Sequence, residues 1–599
     1  RLSSITKGSG ASASVIAYTY DLFGRVLQDG VQGNALAYAY DANGNRVSIA
    51  YPGNVTACFT YDVADRQAGL SYSTAAGTNV CQGTTTPIVT SSPAAPTVYS
   101  AAGPLQQLHL ANGVAETHTF DQRYYPTAIT AGTLISWAYT TDPIGNITAI
   151  APGRNFTYQD FQYFLTQANA PTLWGTRTWT YDTIGNRLSE DRGGGAKDTY
   201  AYQPNPANPH GDTPLLETIA LANSAGTKYL AYDLAGNVLL ESTPTSHLDF
   251  LPDAAGKLSR MTEETSHETS TLAYDGRGFL AKARNAVTDC GPLATIPTYD
   301  SEGLLYQRQQ QNLFTSAVTA QTRIFYFAGR PVAQLDGAPA TGTLTYLTVD
   351  HLGTPILAST SASTATWSGG FEPFGRDFTT PSAQNSRIFL RLPGQWDDTV
   401  WDNNTHLASG LYYNVNRWYD GSIGRYLQPD PLDSSNGDDL SLDVGDPQGF
   451  TAIAYPYVGG NPLGYEDPVG LSRIKDCRQA ASNIRGILGH AVHHYDEGKP
   501  AKPICEQLAS QLPKFRNNNC SVYFPVLGHL AEGFFDLFCK RPPPMCPTQQ
   551  DKPWYENLKN NLNRLFDDIC YNCPSCCKIK NPILPGPVPV PPVPVFPIP

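Results

Sequence analysis

An eight-residue phrase that returns throughout the first 335 residues limits what this chain can fold into. Its pattern is aromatic, any, Tyr, Asp, any, any, Gly, then Arg or Asn. It reads YTYDLFGR at Tyr18 to Arg25, YAYDANGN at Tyr38 to Asn45 and WTYDTIGN at Trp179 to Asn186. With leucine in the first place it reads LAYDLAGN at Leu230 to Asn237. Looser copies surround Tyr61-Asp62, Phe120-Asp121, Asp142 to Asn146, Asp253 to Lys257, Tyr274-Asp275 and Tyr299-Asp300. The intervals are near 20 residues or a multiple: Asp21 to Asp41 is 20, Asp41 to Asp62 is 21, and Asp142 to Asp182 is 40.

Alternating aromatics ahead of the aspartate predict a strand with its rings on one face. The aspartate then starts a turn, its carboxylate accepting from amides two or so residues on, and the glycine supplies a positive φ. A second strand follows, so one repeat is one β-hairpin. Hairpins this short cannot bury a face alone and must stack into a continuous sheet. A propeller or solenoid is the competing architecture, but propeller blades need roughly 40 residues and four strands.

At 599 residues the chain exceeds one hydrophobic core, and its character changes near residue 471. Residues 1–471 hold 30 of the 34 Tyr and 46 of the 52 Gly, whereas residues 472–599 hold nine of the twelve Cys. The first part has 25 basic and 42 acidic residues, net −17; the second has 15 and 10, net +5. That mild positive charge makes nucleic acid or an anionic membrane a minor expectation for the tail. The chain opens at Arg1 inside the repeat pattern, so further repeats and any signal peptide are expected ahead of it. The most apolar stretch, Val522 to Phe538, is interrupted by Pro525, His529, Glu532 and Asp536 and does not read as membrane-spanning. A Tyr-, Thr-, Gly- and Asn-rich chain with 15% charged residues suits an extracellular or cell-surface β structure.

With these repeats the chain resembles the rearrangement-hotspot (Rhs), or YD-repeat, family. Six motifs between Tyr346 and Leu471 carry the resemblance further, to that family's repeat-associated core domain. They are VDHLGTP (Val349 to Pro355), FEPFGRD (Phe371 to Asp377), LPGQWDD (Leu392 to Asp398), GLYYNVNRWYD (Gly410 to Asp420), GRYLQPDP (Gly424 to Pro431) and YPYVGGNPLGYEDPVGL (Tyr455 to Leu471). The resemblance implies a mainly β fold. Residues 1–343 would be YD repeats, a strip of hairpins spiralling into a hollow shell, and 344–471 the core domain plugging one end. Residues 472–580 would be a variable C-terminal domain, enclosed and then released as a toxic effector, and 581–599 a Pro-rich tail. Implied partners are the missing repeats or a companion shell chain, a secretion apparatus, and an immunity protein binding residues 472–599. No cofactor is implied.

In the family the chain cuts itself after the leucine of DPxGL, using two aspartates. By motif the cut falls between Leu471 and Ser472, with Asp467 of DPVGL as one member of the pair and Asp430 of GRYLQPDP as the other. Two neighbouring carboxylates cannot both ionise, so one can polarise the carbonyl while the other activates water. Many relatives separate the two motifs by roughly 22 residues, whereas Asp430 and Asp467 are 37 apart. Asp446, 21 residues before Asp467 within an acidic insertion, is therefore a rival. Arg425 is a candidate to orient a carboxylate, with a structural ion pair as the alternative. Turn-capping, the work of the other YD aspartates, is the plainer role for all of them.

The tail reads as small, mainly α and Cys-rich, with helical periodicity over Ser482 to Tyr495, Leu527 to Phe538 and Trp554 to Ile569. His490 and His494 share a helical face and are weak metal candidates, as are Cys570, Cys573, Cys576 and Cys577 in CxxCxxCC. Disulfides from that cluster to Cys477, Cys505, Cys520, Cys539 or Cys546 are the better expectation in an exported chain. Nine prolines in the last eighteen residues predict a polyproline II terminus. The opposing functional class is a non-enzymatic adhesion scaffold whose aromatic rings stack on carbohydrate, as implied for animal teneurins, which share YD repeats.

Overall fold

The structure is a computed structural model. It describes residues 2–7, 14–31, 33–77, 79–101, 104–159, 163–182, 185–205, 208–265, 268–286, 293–378, 388–397, 410–431 and 455–471. The chain divides into two compact units: residues 1–203, 214–429 and 455–471 form the first, and 204–213, 430–454 and 472–599 the second. The expected α-helical, Cys-rich domain and Pro-rich tail lie outside the described residues.

From Ser4–Lys7 to Ala365–Ser368 the described strands belong to one 33-stranded antiparallel sheet. Each strand pairs with its neighbours in sequence, apart from a local detour where Thr86–Thr90 and Val98–Tyr99 both flank Leu105–Leu110. The sheet is a strip, not a set of separate four-stranded blades. It continues past residue 343, so the first strands of the motif-rich region extend the repeats.

The repeat turn explains each letter of the phrase. In YAYDANGN the amide of Asp41 donates to Asn45 O at 3.0 Å and that of Gly44 to Asp41 O at 3.2 Å. Asp41 Oδ1 accepts the Asn45 amide at 2.8 Å, and Oδ2 accepts Asn45 Nδ2 at 3.0 Å. The last residue therefore closes the turn it ends. Arg25 and Arg66 do so at 2.5 and 2.8 Å, and Asn146, Asn186 and Asn237 at 2.9, 2.9 and 2.8 Å. Gly44 has φ +97°, and where the glycine is missing Asp65 and Tyr124 take φ +58° and +65° in its place. A one-residue register shift precedes the aspartate, as between Ala39 and Tyr40 or Thr180 and Tyr181, and adds local twist. The tyrosine before the aspartate donates its hydroxyl to a carbonyl of an earlier strand: Tyr40 to Val26 at 2.8 Å, Tyr181 to Leu165 at 2.9 Å, Tyr274 to Leu258 at 2.7 Å. The aromatic two places earlier fills the core, as Tyr38 and Trp179 do.

Within the first unit the strip coils back on itself. Asn34 Nδ2 donates to Pro297 O (3.1 Å), Tyr51 to Ile324 O (2.7 Å), and the Ala328 amide to Gln67 Oε1 (2.7 Å), across 263, 273 and 261 residues. Asn112 Nδ2 donates to Ser359 Oγ (3.0 Å) across 247 residues. Leu36, Tyr51, Val55, Phe325 and Leu335 lie in one buried cluster between these layers. A disulfide joins Cys58 to Cys81, a pairing that the sequence reading did not anticipate.

After the strip, Leu411–Asn414, Arg417–Asp420 and Arg425–Tyr426 form a separate three-stranded sheet, wholly buried. It is tied to the strip through Arg187 Nη1 to Ile423 O (2.8 Å) and Lys257 Nζ to Asn416 O (3.0 Å).

Candidate functional site

The DPVGL segment, Asp467 to Leu471, packs against this small sheet, and the packing begins with two glycines. A Cβ on Gly394, in LPGQWDD, would stand 2.0 Å from Pro468 O. Gly470 has φ +64°, and a Cβ there would stand 2.4 Å from Asn414 O. Only bare backbone lets the segment approach this closely.

Side chains of GLYYNVNRWYD then hold its carbonyls. Asn414 Nδ2 donates to Asp467 O at 2.9 Å, Asn416 Nδ2 to Val469 O at 3.0 Å, and Arg417 Nε to Gly470 O at 2.7 Å. The Asp467 carboxylate is buried and accepts three donors. Oδ2 accepts from Arg417 Nη2 at 3.0 Å and from the Tyr426 hydroxyl at 2.8 Å, while Oδ1 accepts the Leu471 amide at 2.9 Å. Tyr426 in turn accepts from Asn414 Nδ2 at 2.8 Å, and its ring lies 3.6 Å from the Arg417 guanidinium carbon. Burial, and after it the Asp467 charge, push the Tyr426 hydroxyl well above its ordinary value, so it remains a donor.

DPVGL is thus the repeat turn used once more. The carboxylate accepts the amide four residues on, and the glycine before that residue has positive φ. Its last residue is leucine, which has no donor to return to the carboxylate. Oδ2 is taken instead by Arg417 and Tyr426, 50 and 41 residues away in sequence.

Arg425 stands elsewhere, donating to Pro214 O at 2.5 Å and to the Tyr202 hydroxyl at 3.3 Å. The guanidinium on Asp467 is that of Arg417. Asp430 is fully buried and belongs to the second unit, so the two aspartates paired by motif fall in different units. Asp446, Ser472, His490, His494, Cys570, Cys573, Cys576 and Cys577 lie outside the described residues. Among the described residues no group of three or more His, Cys, Asp or Glu is placed to hold a metal. No described helix is long and apolar enough to cross a membrane.

Residues 467–471 thus form a turn whose carboxylate accepts the amide of Leu471. Arg417, Tyr426, Asn414 and Gly394 escaped the sequence reading as site residues. All four lie inside quoted motifs, but nothing in the spacing brings them to Asp467.

A continuous antiparallel strip of aspartate-turn hairpins, followed by a small buried sheet clamping a DPVGL turn, defines a repeat-strip protein of mainly β class. The same fold occurs in the crystal structure of TcdB2-TccC3-TEV, with TM-score 0.56 and 18% identity over 76% of this chain and 24% of that one. It occurs also in the Photorhabdus luminescens Tc holotoxin pore, with TM-score 0.52 and 18% identity over 76% of this chain and 23% of that one. Among curated proteins the chain is similar to the uncharacterised YibJ of Escherichia coli K12, 33% identical over 126 residues, covering 21% of this chain and 44% of YibJ. It is 27% identical over 141 residues to double-stranded DNA deaminase toxin A of Burkholderia cenocepacia, covering 23% of this chain and 8% of that toxin. To toxin protein Tse5 of Pseudomonas aeruginosa it is 30% identical over 148 residues, covering 24% of this chain and 9% of Tse5. The chain therefore spans less than half the length of each. No protein-family model matches it.

Proposed function

We propose that residues 1–471 are the C-terminal part of an Rhs-type shell that encloses the segment 472–599, cuts it free after Leu471 and delivers it as a toxin. The observation that carries this reading is the Asp467 carboxylate seated on the Leu471 amide, with Arg417 bridging it to the Gly470 carbonyl. Similarity to two proteins named as toxins, and the fold shared with a Tc holotoxin pore, support the delivery role. Arg417 and Tyr426 position Asp467. Asp430, on its GRYLQPDP context, supplies the second carboxylate. One carboxylate takes a proton from water as the oxygen attacks the Leu471 carbonyl carbon, and the other protonates the Ser472 nitrogen as the C–N bond breaks. The products are a Leu471 carboxylate and a Ser472 amine.

A companion chain or further repeats complete the shell, an immunity protein meets residues 472–599, and the assembly acts outside the producing cell. Intact-mass measurement tests the cut. Wild type is expected as two polypeptides divided after Leu471, and Asp467→Asn as one. A wild-type chain that stays whole, or an Asp467→Asn chain that still divides, ends the self-cutting reading. For the toxin claim, residues 472–599 expressed alone are expected to arrest bacterial growth; unaffected growth with soluble protein present counts against it.

A further inference from the structure

The repeat turn DAAGK, Asp253 to Lys257, keeps the backbone bonds of the phrase and spends its last side chain elsewhere. Asp253 Oδ1 accepts the amides of Ala255 and Lys257 at 2.9 and 3.0 Å. Arg25, Asn45 and Arg66 return their side chains to the aspartate of their own turn. The Lys257 ammonium instead donates to Asn416 O at 3.0 Å and to Asn416 Oδ1 at 3.1 Å. Asn416 is one of the residues holding the DPVGL carbonyls, its Nδ2 donating to Val469 O at 3.0 Å. One side-chain amide thus joins the strip to the turn.

That amide has to face one way. It carries an acceptor at one end and donors at the other, and turned over it would set Oδ1 against Val469 O. An ammonium has three donors and no acceptor, so Lys257 pairs only with the Oδ1 end and leaves Nδ2 to Val469. The hairpin that carries Asn416 rests on the next two repeat turns as well. The Tyr413 hydroxyl accepts the Leu280 amide at 2.7 Å, just after DGRGF, and a Cβ on Gly303 of DSEGL would stand 2.7 Å from Val415 Cγ1. The place is unfavourable for a cation: burial, with Arg417 and Lys7 nearby, brings the Lys257 ammonium down to about 8 against the pull of Asp253 and Asp275.

We propose that Lys257 is a positioning residue for the DPVGL turn, fixing the Asn416 amide on Val469 O so that the turn is held firmly only when the DAAGK hairpin is in place. The turn then reports closure of the strip. That the cut waits for this closure rests on the self-cutting reading above; the tie between Lys257 and the turn does not.

Hydrogen exchange followed by mass spectrometry on the full chain tests the tie whether or not the chain divides. Lys257→Met should speed exchange of the Gly470 and Leu471 amides about ten-fold, as expected for losing donated bonds at one side chain, and leave the strand Arg46–Tyr51 unchanged. Lys257→Arg, which restores a donor, should bring the rate back to within about two-fold of wild type. Added to Asn416→Ala, Lys257→Met should speed these amides no further. Exchange at the wild-type rate in Lys257→Met, equal loosening of Arg46–Tyr51, or a further ten-fold on top of Asn416→Ala overturns the proposal. If Lys257→Met fails to fold, Lys257→Gln takes its place under the same criteria. Intact mass followed over time tests the coupling: Lys257→Met should slow the cut about ten-fold and Lys257→Arg restore it. Exchange altered as expected with cutting at wild-type speed overturns the coupling, whereas a wild-type chain that stays whole defeats the self-cutting reading and leaves exchange to judge the tie.

Discussion

The Asp41 turn of the repeat strip and the Asp467 turn of DPVGL share a backbone design and differ in what surrounds it. At Asp41 the carboxylate is closed locally, one oxygen on the Asn45 amide and the other on the Asn45 side chain. At Asp467 the first bond is kept and the second is handed to Arg417 and Tyr426 from a different sheet. Removing one side-chain donor, at the last position of the phrase, turns a self-contained turn into one that needs the rest of the fold. A motif that elsewhere punctuates strands thereby becomes a fixed point in a buried polar network.

Substitution should separate the two turns most sharply at the aspartate itself. Asp467→Ala leaves the Arg417 side chain, 2% exposed, without its carboxylate, and about 3–5 kcal/mol of stability should be lost. In denaturant unfolding Asp41→Ala should lose far less; equal losses would mean that the Arg417 pairing adds nothing. Gly470→Ala should cost about 3 kcal/mol or more, from positive φ together with a Cβ driven to 2.4 Å from Asn414 O. Gly44→Ala has its nearest neighbour at 3.7 Å and should cost about 1 kcal/mol.

The strip also contains its own contrast, readable by pH. Asp300 is a buried turn aspartate, and burial, aided by the charges of Asp29 and Glu302, pushes its carboxyl up to about 6 against its backbone hydrogen bonds. The folded chain then keeps a proton that the unfolded chain has released. Stability should therefore fall as pH rises from about 4 to about 6, by roughly 2–3 kcal/mol, and Asp300→Asn should flatten that fall. At Asp41 desolvation raises the carboxyl, but hydrogen bonds from Asn45 and the turn amides outweigh it and hold the carboxyl below its usual value. Its contribution has the opposite slope, lost only as pH drops through that lowered value. A small effect is also expected of Tyr40→Phe, which removes one hydroxyl from Val26 O and should cost about 1 kcal/mol in the same unfolding assay.

The repeat was legible because its chemistry is local: aspartate, glycine and alternating rings act within eight residues. Even there the role of the last letter shows only in the folded turn. Arg25 and Asn45 share a place because either can donate to the aspartate four residues back. Asp65 and Tyr124 show that the turn demands the conformation more strongly than it demands glycine. Contacts across long stretches were hidden. Nothing local in NRWYD or GRYLQ marks Arg417 or Tyr426 as neighbours of Asp467, and Gly394 reads as an ordinary turn residue until Pro468 is laid against it.

The ties between layers, spanning 247 to 273 residues, make the strip behave like a coarse screw thread whose teeth are hairpins. Gaining or losing one whole repeat would advance every later tooth by one place and set it against another tooth of similar shape. Adding half a repeat would reverse the strand direction at every later contact. Length in such a protein can therefore change by duplication in steps of about 20 residues, while the thread still engages.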